Sequence, residues 1–260
     1  MANYENPRRY ATTAVPGTAA ADVVDEGLRA HMLRVYNYMV FGLALTGVFA
    51  LGTYMLTTTG TPTAYQVASD LYLTDLGVTF YTSALQWVVI LSPFAFILAL
   101  SFGIQRMSTG TAQLVFWAFA AVMGVSLSSI FIVYDLGSIA QVFFITAATF
   151  GAMSLWGYTT KRDLTGMGSF LFMGLIGIII AMIVNIFLGS SALGFAISVL
   201  GVLIFTGLTA YDTQKIKEMY YAEDDGTVAG RKAIMGAVTL YLDFINLFLM
   251  LLRLFGNQRD

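Results

Sequence analysis

The sequence Phe205-Thr-Gly-Leu-Thr-Ala-Tyr-Asp-Thr-Gln-Lys-Ile216 places one carboxylate, Asp212, at the end of a run of 48 residues without a formal charge. A second stretch, Leu240-Tyr-Leu-Asp-Phe-Ile-Asn-Leu-Phe248, places Asp243 well inside the next apolar run. A polar turn, residues 222–232, separates the two stretches, and the midpoint between the aspartates falls inside it. Because residues equally far from the turn of a helical hairpin lie at equal depth, we expect the two carboxylates to face each other.

Two carboxylates at one depth of a membrane indicate a function. A single carboxylate in a membrane segment is costly, so it usually faces the bundle interior and marks an ion or proton path. Two adjacent carboxylates do not both ionise cheaply, so they tend to share one proton. The alternative is a structural staple, in which one aspartate donates a hydrogen bond to the other and nothing switches.

The composition is that of a membrane protein. Of the 260 residues, 58% are hydrophobic and 11% are charged, whereas soluble domains carry about 25% charged residues. The net charge of −2 gives no indication of nucleic-acid binding. The absence of cysteine excludes disulfides and thiolate metal sites.

Several apolar windows are long enough to cross a bilayer, which takes ~20 residues. One window, 164–211, is too long for one crossing, and Gly189-Ser-Ser-Ala192 is its natural turn. The sequence therefore predicts an all-α polytopic membrane protein with seven transmembrane helices and the last helix near the bundle centre. In an alternative topology with six transmembrane helices, the last apolar segment is re-entrant and does not cross the membrane. The predicted segments are 35–56, 80–105, 111–134, 136–160, 166–188, 192–214 and 233–254.

The basic residues predict the orientation. Eleven of the thirteen Lys and Arg residues fall on one side of the seven segments, and short loops rich in Lys and Arg are cytoplasmic. We therefore expect a disordered cytoplasmic N-terminal tail over 1–28, a transmembrane domain over 29–256 and a C-terminal tail over 257–260 on the far side.

Oxygen-bearing side chains flank the aspartates. Thr209 and Thr213 flank Asp212, and Asn246 follows Asp243 at helical spacing. Ca²⁺ takes oxygen ligands, so we expect a weak calcium site at Asp212 and Asp243. No EF-hand spacing occurs, which argues against a tight site.

Four stretches resemble the Bax inhibitor-1 family, most closely its bacterial YccA- and YetJ-like branch. Two are the aspartate segments, Gly207–Ile216 and Leu240–Gly256. The others are Gly124-Val-Ser-Leu-Ser-Ser-Ile-Phe131 and Gly157-Tyr-Thr-Thr-Lys-Arg-Asp-Leu164. The resemblance runs from about residue 34 to 256.

The resemblance implies a pH-sensitive calcium leak of the bacterial inner membrane, with Asp212 and Asp243 as ion path and pH sensor. Its expected partners are the lipid bilayer, calcium and protons. It implies no resident cofactor beyond transient Ca²⁺. Gln86 stands where similar proteins carry a glutamate that helps line the ion path, which puts ion preference in question. Arg106, just after the second helix, is expected to anchor to lipid headgroups or to pair with a helix-end carboxylate.

Two further functions are open. The YccA-like branch resembles proteins that bind and restrain a membrane-embedded AAA protease, which implies a regulator acting through the N-terminal tail. An intramembrane aspartyl protease also places two aspartates on neighbouring helices, one preceded by tyrosine as in Tyr211-Asp212. Its second motif needs small residues, and Leu240-Tyr-Leu-Asp243 is bulky throughout, so we do not expect an enzyme.

Overall fold

The computed structural model describes residues 16–259, with side chains from residue 26 onward. This part of the chain forms nine α-helices, one 3₁₀ turn and three short strands. In chain order they are α1 (Pro16–Thr57), β1 (Thr58–Thr59), β2 (Gln66–Ala68), β3 (Leu71–Leu73), α2 (Asp75–Thr82), α3 (Leu85–Gly103), the 3₁₀ turn Ile104–Arg106, α4 (Thr109–Leu127), α5 (Ile130–Val133), α6 (Leu136–Thr159), α7 (Thr165–Leu188), α8 (Ser191–Glu218) and α9 (Gly226–Phe255).

Seven helical segments are long and apolar enough to cross a membrane. They are α1, α3, α4 continued by α5, α6, α7, α8 and α9. In α9, 72% of the most apolar window is buried, against 11–33% in the other six segments. The all-α prediction with seven spans, and with the last helix at the bundle centre, is confirmed.

Seven crossings place the connections alternately on two faces. One face, the basic face, is formed by segments 104–108, 160–164 and 219–225. The opposite face is formed by segments 58–84, 134–135 and 189–190. The opposite face carries the antiparallel sheet of order β1-β3-β2 together with α2.

Helix α9 runs alongside α4 through the whole thickness of the bundle. Near its start, Thr109 Oγ1 of α4 donates to the carbonyl oxygen of Thr227 at 3.4 Å. Beyond its end, Tyr134 and Gln258 form an antiparallel bridge. The two helices therefore begin at one face and end at the other, and the re-entrant alternative for the last segment is wrong.

The C-terminal residues are bound to the opposite face. The backbone N–H of Asn257 donates to Ser138 Oγ at 2.8 Å, and Arg259 Nε lies 3.7 Å from Asp135 Oδ1. This ion pair explains why a basic residue lies away from the basic face. Residue 260, the end of the predicted tail, lies outside the described range.

The N-terminal helix begins earlier than the sequence predicted. Helix α1 starts at Pro16, so residues 16–28, which were predicted to be disordered, are helical. Ala19, Ala20 and Ala21 follow that start, and alanine has the highest helix propensity. The predicted tail before residue 16 lies outside the described residues.

Two helix starts also differ from the predicted ones. The second span begins at Leu85 and not at 80, because Ser83 has extended backbone and its Oγ accepts a hydrogen bond from the Leu85 N–H at 3.1 Å. Helix α9 begins at Gly226 and not at 233. Asp225 caps it, with Oδ1 accepting from two N–H groups of the first turn at 2.8 Å each. An aspartate at this position satisfies N–H groups that have no partner within the helix.

Candidate functional site

The structure brings the carboxyl groups of Asp212 and Asp243 together. Asp212 lies on α8 and is half-buried, and Asp243 lies on the central helix α9 with 6% of its surface exposed. The two side chains are in hydrogen-bonding contact with each other. Both lie within membrane-spanning segments.

Close packing of α8 against α9 sets the register of this contact. A methyl group at Gly236 of α9 would lie 3.0 Å from Ile216 Cγ2, on the side of the pair nearer the basic face. On the other side, a methyl group at Gly201 of α8 would lie 2.7 Å from Met250 Sδ. Small residues let transmembrane helices approach closely. Both contacts share the antiparallel register that pairs the aspartates.

Within the described part of the chain, Asp212 is the one hydrogen-bond partner of the Asp243 carboxyl. Its Oδ2 is buried without a hydrogen-bond partner among the described residues, and the group that interacts with the carboxyl is Asp212. Two ionised carboxylates in contact repel each other, and burying either one unpaired is costly. The contact therefore requires a proton, so that one acid group donates to the other.

One nearby cation acts on the pair. Lys215, on the next turn of α8, interacts electrostatically with Asp212. Its side chain is exposed, and its Nζ lies 5.8 Å from the centre of the Tyr211 ring. Lys215 therefore faces the solvent side of the pair and leaves Asp243 to the bundle interior.

The predicted supporting residues satisfy their own helices instead of the carboxyls. Thr209 Oγ1 donates to the Phe205 carbonyl oxygen at 2.8 Å, and Thr213 Oγ1 donates to that of Thr209 at 2.7 Å. Asn246 Nδ2 donates to the Leu242 carbonyl oxygen at 2.9 Å. Among the described residues none of these side chains hydrogen-bonds a carboxyl of the pair, since a side chain one turn along a helix reaches its own backbone first. Their supporting role in an ion path stays a prediction.

Gln86 and Arg106 lie away from the pair. Gln86 is in the first turn of α3, at the opposite face, and α3 packs mainly on α4. Asp212 lies within about two turns of the basic-face end of α8. Arg106 is exposed at the end of the 3₁₀ turn, and neither ion pair of the described residues includes it. Its predicted pairing with a helix-end carboxylate is not formed, and the headgroup role stays a prediction.

A chain of hydroxyl groups next to Asp212 was not predicted. Tyr36 Oη of α1 hydrogen-bonds Ser154 Oγ of α6 at 2.7 Å, and Ser154 Oγ hydrogen-bonds Thr213 Oγ1 at 2.9 Å. The chain crosses three helices and ends at the residue that follows Asp212. No spacing in the sequence connects positions so far apart.

A second unpredicted cluster fixes the basic-face end of α8. The Gln214 side chain accepts from the Leu164 N–H at 2.8 Å and donates to the Arg162 carbonyl oxygen at 2.8 Å. Lys217 Nζ donates to the Tyr158 carbonyl oxygen at 2.9 Å. Helix α8 is thereby joined to the connection between α6 and α7.

A third unpredicted contact joins α9 to α1. Tyr241, two residues before Asp243, is fully buried, and its hydroxyl hydrogen-bonds Thr46 Oγ1 at 2.6 Å. Thr46 Oγ1 also lies 2.8 Å from the Ala120 carbonyl oxygen of α4. These contacts hold the helix that carries Asp243 in place.

The pair offers fewer oxygen ligands than a resident calcium ion takes. Calcium takes six to eight oxygen ligands in proteins. Across residues 26–259, no group of three or more His, Asp or Glu side chains lies close enough to hold a metal. Two carboxyl groups can attract a divalent ion without enclosing it.

Comparison with known proteins matches almost the whole chain. The profile of the family described as "Inhibitor of apoptosis-promoting Bax1" matches residues 28–260. The inner membrane protein YbhL of Escherichia coli K12 is 46% identical over 236 residues, which cover 90% of this chain and 94% of YbhL. Protein RP147 of Rickettsia prowazekii is 47% identical over 249 residues, covering 96% and 98%. A protein of Borreliella burgdorferi is 44% identical over 230 residues, covering 88% and 92%.

Proposed function

Because the chain belongs to the Bax inhibitor-1 family of membrane proteins, we propose that it is a pH-sensitive calcium leak of the bacterial inner membrane. The gate is the contact between Asp212 and Asp243. One observation carries this proposal: the two carboxyls meet within the bundle, and the buried one has no other donor among the described residues.

The sign of the pH response follows from the shared proton. At acidic pH the proton joins the carboxyls, α8 and α9 stay together, and the path is closed. When pH rises and the proton leaves, two adjacent negative charges repel each other. The helices then separate at the pair, and the exposed carboxylates attract Ca²⁺. Acid therefore closes the gate.

The distribution of charge supports a cytoplasmic basic face. The connections of the basic face contain Arg106, Lys161 and Arg162. The described connections of the opposite face contain no Lys or Arg. Positive charge in short loops favours the cytoplasmic side. The N-terminus is then cytoplasmic, and Asp212 lies near the cytoplasmic boundary, where it responds to cytoplasmic pH.

A reconstituted system tests the proposal. Purified protein in liposomes that enclose a calcium dye should admit Ca²⁺, and the rate should rise as pH increases from about 6 to 8, because the shared proton leaves as pH rises. Liposomes without protein give the background rate. A rate that does not change with pH, or that increases in acid, would contradict the gate.

The AAA-protease regulator remains an alternative. It depends on the N-terminal tail, of which residues 1–15 lie outside the described structure. Deletion of residues 1–15 should abolish regulation of a protease and leave calcium flux intact if the flux pathway lies in α8 and α9. The aspartyl protease is poorly supported, because the residues next to Asp243 are the bulky, buried Leu240, Tyr241 and Phe244 and not the small residues that its second motif needs.

A further inference from the structure

A long apolar groove lies between α1 and α6. Its volume is about 980 Å³, and Phe244 of α9 forms part of its wall. On α1 the lining residues recur every three or four positions from Arg29 to Gly47, which is one face of a helix. On α6 the lining runs from Phe143 to Tyr158. The groove faces the lipid side, since Leu33 and Val40 in its wall are 51% and 54% exposed.

The groove is long. The α1 wall from Arg29 to Gly47 spans about 27 Å at 1.5 Å per residue. It therefore runs along most of the hydrocarbon core of a bilayer, which is about 30 Å thick. At this depth the surrounding molecules are acyl chains.

Polar groups occur mainly at the basic-face half of the groove. Arg29 is the one charged residue in its lining, its side chain is exposed, and neither ion pair within residues 26–259 includes it. Lys217 lies beside the same end, with its Nζ 5.3 Å from the ring of the lining residue Tyr158. A cationic end followed by an apolar channel is complementary to a negatively charged headgroup with an acyl chain.

We propose that this groove is a binding site for one anionic glycerophospholipid, with the phosphate at Arg29 and an acyl chain along α1 and α6. Headgroup and chain contribute separately. The cation selects the charge of the headgroup, and the apolar walls hold the chain whatever the headgroup is. Lipid binding requires no calcium flux, so this proposal is independent of the proposed calcium leak.

Two glycines permit a clean test of the groove. A methyl group at Gly151 on α6 or at Gly47 on α1 would meet no atom within 4 Å, and both residues line the groove. Leucine at either position therefore places its side chain in the groove, and its Cβ meets no neighbouring atom. Gly177 on α7 has the same open surroundings outside the groove, so Gly177→Leu is the matched control. Arg106→Gln removes an exposed basic-face arginine outside the groove and is the control for Arg29→Gln.

Native mass spectrometry with phosphatidylglycerol and phosphatidylcholine of identical chains measures the binding. Wild type should retain one phosphatidylglycerol in preference to phosphatidylcholine. Arg29→Gln should lose about fivefold of this preference, as expected for one basic residue at an anionic surface, and Arg106→Gln should not. Gly151→Leu should lose both lipids, and Gly177→Leu should bind as wild type does.

Several results would overturn the site. They are no headgroup preference in wild type, an equal loss in Arg106→Gln, full lipid retention in Gly151→Leu, or an apolar peptide that copurifies in place of lipid. Unfolding midpoints show whether each variant is folded. If Gly151→Leu is not, Gly47→Leu on the facing wall gives the same test.

Discussion

At the scale of single residues, the protonation state of Asp243 is closely constrained by the residues around it. Its carboxyl is buried in the helix at the bundle centre, and Asp212 is the group that interacts with it. Either a proton is shared or two charges meet in a poorly solvated interior. A change of protonation at this point therefore has a direct mechanical effect on α8 and α9.

Replacing Asp243 by Asn should abolish the pH response of calcium flux in liposomes. A carboxamide hydrogen-bonds Asp212 but does not deprotonate, so repulsion between the two groups is lost at every pH. The profile between about pH 6 and 8 should be flat, and Asp212→Asn should be flat as well. If Asp243→Asn keeps the full wild-type response, the pair is a structural staple.

Asp163 provides a matched control for these variants. It lies in the connection at the basic face, fully exposed, and hydrogen bonds from the side chain and backbone of Thr165 hold the pKa of Asp163 below its usual range. A lowered pKa keeps this carboxyl ionised throughout pH 6–8. Asp163→Asn should therefore keep the wild-type pH dependence, and a flat profile there would show that the assay does not report on the pair.

Tyr241→Phe and Thr46→Val remove the same hydrogen bond, but we expect them to lower the free energy of unfolding by different amounts. In Tyr241→Phe the Thr46 hydroxyl still reaches the Ala120 carbonyl oxygen, so unfolding in detergent should be easier by about 1 kcal/mol. Thr46→Val leaves the buried Tyr241 hydroxyl without its only partner in the described structure, which should cost about 1–3 kcal/mol. The reverse order would mean that Tyr241 finds another partner.

At the scale of secondary-structure elements, the α8–α9 hairpin keeps its register although its turn is shorter than predicted. Asp225 caps the start of α9 within residues 222–232, which the sequence predicted to be a polar turn. Lys232 on the second turn of α9 pairs with Asp224 at 2.5 Å, and these two residues share the register of Asp212 and Asp243. The pairing of the helices therefore depends on contacts along their length and not on where each helix begins.

Two glycines on α6 should respond oppositely to alanine. A methyl group at Gly157 would lie 2.2 Å from the Ala210 carbonyl oxygen of α8, whereas one at Gly151 would meet nothing within 4 Å. Gly157→Ala should force α6 away from α8 and lower the free energy of unfolding by about 1–3 kcal/mol. Gly151→Ala should change it by less than about 0.5 kcal/mol. Equal effects in detergent unfolding would show that α6 and α8 are less tightly packed than the structure has them.

At the scale of the whole molecule, seven crossings place the two ends of the transmembrane domain on opposite faces. The natural sequence has no cysteine, so pairs of introduced cysteines report distances directly. Ser138→Cys with Asn257→Cys should cross-link readily, because these residues are in contact at the opposite face. Ser138→Cys with Thr227→Cys, which places the second thiol at the basic-face end of α9, should not. Cross-linking of the second pair alone would restore the re-entrant arrangement.

The sequence predicted the crossings and the contact between the aspartates but not their surroundings. Long apolar windows and the grouping of basic residues are properties of the chain itself, so seven spans could be derived. The hydrogen-bond partner of a hydroxyl side chain depends on the three-dimensional arrangement of the helices, which the sequence does not show directly. Thr209 and Thr213 bond the backbone one turn away, and Ser154 joins positions that only tertiary packing brings together.

Two of the three hydrogen-bond clusters around the pair each fasten one group of helices. The third, from Tyr36 of α1 through Ser154 of α6, links the two groups and must break for them to move apart. Gln214 and Lys217 fasten α8 to the connection between α6 and α7, whereas Tyr241 fastens α9 to α1 and, through Thr46, to α4. When the carboxyls part, we expect α6, α7 and α8 to move as one unit against α1, α4 and α9, a shear between packed helices. The boundary between the units passes between α1 and α6, where the apolar groove opens to the bilayer. The lateral pressure of the membrane would then act on the boundary between the two groups of helices, as the protonation of the aspartate pair does. Stretching the bilayer should therefore favour the state in which the two groups are separated.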